Sequence, residues 1–88
     1  MNDNTHITQR LRKGARERNI EAFSKRLTSK YIPYNKNNTF KENGLTTETE
    51  AYFFATVNNC YSVNIPNEIK DGMTKPIHLL NYLDIMIQ

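Results

Sequence analysis

The chain has 88 residues and 10.3 kDa, carries 12 Lys and Arg against 9 Asp and Glu for a formal charge of +3, and is 38% hydrophobic with one cysteine. That length supports a single domain, and one cysteine excludes a disulfide framework or a cysteine-rich zinc fold. No apolar run approaches the roughly 18 residues of a membrane span, so no membrane partner is expected.

The charge divides along the chain. Residues 1–30 hold eight basic and three acidic residues, net +5, and residues 31–88 hold four basic and six acidic, net −2. The segment Met1-Asn2-Asp3-Asn4-Thr5-His6 has no apolar h-region, which together with the lone Cys60 predicts a reducing, cytoplasmic setting. The mean hydropathy of −0.73 is polar, yet five Tyr and four Phe are too many for full disorder. Twelve Asn, nine Thr and eight Ile match the composition of a small AT-rich gene, of the kind bacteriophages and mobile elements carry.

From Thr5 to about Tyr31 the residues favour helix, and Pro33 ends the pattern by disfavouring helical geometry at Ile32. Two apolar stripes run along it. Ile7, Leu11 and Ala15 form one, and Ile20, Phe23, Leu27 and Tyr31 the other. At ~100° per residue they face nearly opposite sides. Gly14 lies between them and Asn19 is placed to cap a new start. The spacing predicts a main helix over 17–31 and a break near Gly14. Residues 1–16 form the basic segment ahead of it, either a short separate helix or a frayed arm, and residues 17–88 form the domain.

Residues 33–46 read as a connection rich in turn chemistry, with Phe40 and Leu45 flanking Asn43-Gly44 as a short hairpin would require. The run Ala51-Tyr52-Phe53-Phe54-Ala55-Thr56-Val57 has the aromatic and β-branched content of a buried strand. A helix capped at Thr47, with Glu50 three residues on, is its rival. Tyr61-Ser62-Val63-Asn64-Ile65 alternates apolar and polar, Asn58-Asn59 suits a tight turn between two strands, and Pro66 closes the second. After a loop over 67–73, a helix opens at Thr74 or Lys75 with Pro76 in its first turn. Ile77, Leu80, Leu83 and Ile87 stripe it, and Leu79, Tyr82 and Met86 widen the stripe. The expected fold class is α+β: a basic N-terminal helix, a β-hairpin or three-stranded antiparallel sheet, and an apolar C-terminal helix.

The densest chemical signal is the run Arg10-Leu11-Arg12-Lys13-Gly14-Ala15-Arg16-Glu17-Arg18, continued by Lys25, Arg26 and Lys30. Guanidinium forks match phosphate geometry, and such density of cations is rewarded at a phosphate backbone by counterion release. Arg10, Arg12, Lys13, Arg16, Arg18, Lys25, Arg26 and Lys30 are therefore the candidate nucleic-acid contacts. Tyr31, Tyr34 and Phe40 border them and are candidates either for the core or for stacking on unpaired bases. The wide apolar face of the last helix, through Leu79, Tyr82, Leu83 and Met86, suits a homodimer or a host protein partner. That face supports the alternative reading, an interaction module that inhibits or adapts a larger protein. His6, His78 and Cys60 stand apart from one another and from any nucleophile or metal-ligand spacing. No enzyme activity, metal or cofactor is expected.

Overall fold

The computed structural model describes residues 12–29 and 31–87, and over them the protein is all helical. In chain order the helices are α1 (Lys13–Arg26), α2 (Thr47–Tyr61), α3 (Asn67–Asp71) and α4 (Pro76–Met86). The expected α+β class is thereby corrected: among the described residues there is no strand, and neither a hairpin nor a three-stranded sheet forms.

α1 starts at Lys13 behind an extended Arg12, and the Arg16 N–H reaches the Arg12 carbonyl at 2.8 Å. Gly14 lies in its first turn, two residues after the extended Arg12, at the place of the expected break. A Cβ at Gly14 would meet only the Arg18 guanidinium, at an ordinary 3.5 Å, so the backbone needs no glycine there. Lys25 and Arg26 occupy the last turn, where cations oppose the negative end of the helix dipole. The helix closes at Arg26, short of the expected Tyr31. Beyond it the Ser29 hydroxyl accepts from the Tyr31 N–H, a local side-chain bond of the kind that competes with helix continuation.

The connection after α1 holds a compact turn over residues 39–45. The Thr39 hydroxyl accepts from the Glu42 N–H at 3.0 Å and the Glu42 carboxylate accepts from the Thr39 N–H at 2.8 Å, a reciprocal capping box. The other end is a Schellman closure. Leu45 N–H bonds Phe40 O, Gly44 N–H bonds Lys41 O, and Gly44 takes the left-handed φ of +96°. Phe40 and Leu45, the apolar pair that accompanies this motif, both enter the core. Buried inside the turn, the Asn43 amide donates to the carbonyls of Asn35, Asn38 and Thr39 and accepts from Asn35 N–H. The expected Asn43-Gly44 hairpin is therefore the end of a helical turn.

α2 replaces the first expected strand and ends at Tyr61, and residues 62–65 of the expected second strand follow it as turn and irregular chain. Thr46, one residue before the expected cap, accepts from Thr49 N–H, and the Thr49 hydroxyl accepts from Thr46 N–H in return. Glu48 and Glu50 place acid in the first turn, favourable at the positive end of the dipole. Phe53, Phe54, Val57 and Tyr61 fall on one face and are buried, while Ala51, Tyr52, Ala55, Thr56 and Asn59 are exposed. Asn58 and Asn59 sit inside the helix at a propensity cost of only about 0.7 kcal/mol each, offset by the burial of four large side chains. The helix stops at Ser62, whose φ of +54° provides the left-handed cap.

α4 begins at Pro76. The His78 Nδ1 accepts from the backbone N–H groups of Thr74 and Lys75, and Lys36 O accepts from Ile77 N–H, so exposed donors at the helix start find partners. α1 packs on both α2 and α4. The core gathers Ile20, Phe40, Leu45, Phe53, Phe54, Val57, Tyr61, Leu79, Leu80 and Leu83 around the Phe40–Phe53–Phe54 trio, whose ring centroids lie 5.4–5.5 Å apart.

Candidate nucleic-acid interface

The helical geometry of α1 sorts its cations by direction. Ile20 and Ser24 point into the body, and so does Arg16, which is only 7% exposed. Its guanidinium meets the Asp84 carboxylate of α4 at 2.6 Å, and Lys13 approaches the same carboxylate at 3.9 Å from the solvent side. One of the eight candidate phosphate ligands is thus committed to an internal ion pair.

Arg12, Lys13, Arg18, Lys25 and Arg26 are exposed. Arg10 and Lys30 lie outside the described residues. Taking Ile20 as the inward direction and ~100° per residue, Arg18, Lys25 and Arg26 lie within about 60° of the outward direction, on one solvent face. At about 1.5 Å per residue, Arg18 and Arg26 stand about 12 Å apart along it. The positions four residues either side of Arg18 are Gly14 and Ala22, and the one carboxylate three residues away, Glu21, lies 3.7 Å from Lys25 instead. Among the described residues Arg12, Arg18 and Arg26 make no ion pair, and Lys25 makes one with Glu21 at 3.7 Å. The other acid of α1, Glu17, is held by Lys36 at 2.8 Å, and this bond keeps its carboxyl below the usual carboxylate range.

The aromatics that border α1 in sequence separate cleanly. Phe40 is core, Tyr34 is half-buried, and Tyr31 is 82% exposed. The Tyr34 Oη is buried with no hydrogen-bond partner. Burial first, and then the charges of Glu21 and Glu17, push its hydroxyl up to about 12. The unfolded chain sheds this proton at about 10, so stability falls as pH rises between about 10 and about 12. Tyr34→Phe should leave stability at neutral pH unchanged or raise it by up to about 1 kcal/mol, because the phenylalanine strands no hydroxyl. It should also flatten the alkaline loss. Urea titrations at neutral and alkaline pH read both effects, and a neutral-pH loss above about 1 kcal/mol would show that the hydroxyl contributes to the fold.

Of the four apolar candidates for a partner interface, Leu79 and Leu83 are fully buried in the protein's own core and Tyr82 is half-buried. Met86 is exposed, beside an exposed Ile85 that the stripe did not single out. A groove of about 600 Å³ lies elsewhere. Phe40, Phe54 and Met73 line it with Lys41, Glu50 and Lys70 among them, and burial raises the Glu50 carboxyl above its ordinary value. The Lys70 ammonium lies over the Phe54 ring, 5.8 Å from its centroid. Among the described residues no three His, Cys, Asp or Glu side chains are grouped to hold a metal ion, and no helix is long and apolar enough to cross a membrane.

These features define a small helical protein with one exposed basic helix face. No family model, curated protein or solved structure matches the chain.

Proposed function

We propose that the protein binds nucleic acid, taking phosphates on the outer face of α1. The observation that carries this reading is the set Arg18, Lys25 and Arg26 on one solvent face, two of the three without an acidic partner among the described residues. Arg12, exposed and without an ion pair among the described residues, adds a cation ahead of the helix start. Phosphate backbones bind such faces through counterion release and need no base-specific pocket. Protein docking through α4 is the weaker reading. With Leu79 and Leu83 inside the core, Ile85 and Met86 are the exposed apolar residues left on that helix, and two side chains fall far short of the roughly 800 Å² per partner of a stable interface.

Polarisation titrations of labelled DNA and RNA across a salt series test the proposal. Binding should weaken linearly in log–log form as salt rises. Joint replacement of Arg18, Lys25 and Arg26 by Ala should lower the slope by about 2–3 and weaken all sequences alike. Alanine keeps the helix favourable, and circular dichroism verifies it. Affinity weaker than millimolar at low salt, or a slope the triple variant leaves unchanged, sinks the proposal.

A further inference from the structure

We infer that the nucleic acid taken by this face is single-stranded, with an unpaired base stacked on Tyr31; the inference rests on the phosphate-binding reading above. The argument begins with the aromatics. Folding removes most rings of this small chain from water: Phe40, Phe53, Phe54 and Tyr61 are buried, and Phe23, Tyr34 and Tyr82 are half-buried. Tyr31 keeps 82% of its surface exposed, the largest value among the exposed hydrophobic residues, and it follows directly on the basic helix. Tyr52 is exposed too, but on α2, in a stretch without any charged residue between Glu50 and Glu68. Tyr31 alone combines this degree of exposure with neighbouring cations in the chain.

Reach is consistent with one ligand touching both. Tyr31 lies five positions beyond Arg26, which limits their Cα distance to about 17 Å. Added to the ~12 Å between Arg18 and Arg26, the whole footprint spans at most about nine nucleotides at the stacked rise of ~3.4 Å per strand. That lies inside the roughly 4–16 nucleotides that compact single-strand sites cover by pairing a cationic track with stacking rings. A duplex keeps its base faces stacked internally, so Tyr31 has nothing to stack on there, whereas an unpaired base offers a whole π face of any sequence.

The test compares a labelled oligo-dT and an oligo-U of about 12 nucleotides, and a duplex of the same length, at one salt concentration. Both single strands should bind at least about tenfold tighter than the duplex. Tyr31→Ala should weaken them by about 5- to 100-fold, the range that loss of one stacked base produces, while leaving duplex affinity and the salt slope unchanged. Tyr31→Phe, which keeps the ring, should retain single-strand affinity. A difference between the two single strands, each still tighter than the duplex, would support the inference and assign the preferred strand to DNA or to RNA. If Tyr31→Ala weakens single strand and duplex equally, or neither, the inference is overturned. The phosphate reading still stands in that case, provided the Arg18, Lys25 and Arg26 triple variant loses its salt-dependent binding. Failure of all three probes to bind at low salt removes both readings together.

Discussion

Gly44→Ala is expected to destabilise the protein by about 2–5 kcal/mol in urea denaturation. Two costs add. A non-glycine residue held at the φ of +96° carries about 1–3 kcal/mol of backbone strain. A Cβ there would also lie 2.8 Å from Ile32 Cδ1 and 3.2 Å from Thr28 Cβ, and overpacking of this kind costs a further 1–3 kcal/mol or so. Ile32 Cδ1 ends a half-buried flexible side chain and can turn aside, so the β-branched Thr28 carries most of the second cost. Gly14→Ala supplies the contrast. In α1 it should raise stability by up to about 1 kcal/mol, because the position is helical and a Cβ there meets only the Arg18 guanidinium at an ordinary 3.5 Å. A loss below about 1 kcal/mol for Gly44→Ala would mean that the 39–45 turn opens at little cost and does not hold the connection.

Asp84→Ala is expected to cost about 2–4 kcal/mol, because it leaves the Arg16 guanidinium charged and desolvated between α1 and α4. The Arg16→Met variant should cost less, about 0–2 kcal/mol, since an apolar stem of similar length fills the site without a charge to satisfy. In the Arg16→Met background, Asp84→Ala should then lose most of its effect. Additive costs in this cycle would show that the two groups do not act as a pair. The same Arg16→Met protein makes a second statement about function. Its nucleic-acid affinity and salt slope should match the wild type, unlike the triple replacement on the outer face.

Arg16 also illustrates what the sequence can and cannot reveal. The concentration of cations in residues 1–30 is visible by counting, and so is the helical character of α1 and α4. The direction of each cation is not, because Arg16 has the same residue type as Arg18 and differs only in meeting an acid 68 positions away. The error over residues 51–65 has a different cause. Between Glu50 and Glu68 no residue is charged, so the solvent face of α2 carries Ala, Tyr, Thr and Asn and gives no polar contrast from which a 3.6-residue period could be read. β-branched and aromatic content then pointed to strands, and tertiary packing overrode it. Signals for helix were present at short range. Thr46 with Thr49 caps α2, and Thr39 with Glu42, followed by Asn43-Gly44, spells out a complete capped turn that was read as a hairpin. Tyr31 was assigned to the apolar stripe by spacing alone, and the early end of α1 turned it outward.

The ion pair between Arg16 and Asp84 has a further consequence for the order in which the chain assembles. The 39–45 turn and the cap of α2 close over a few residues and cost little loop entropy, whereas the Arg16–Asp84 contact must bridge 68 positions. It is therefore expected to form late in folding and to break early in unfolding. The loss on Asp84→Ala should then reside mainly in a faster unfolding rate, with folding nearly unchanged, so the contact that hides one arginine from the surface also sets how long the helices stay together.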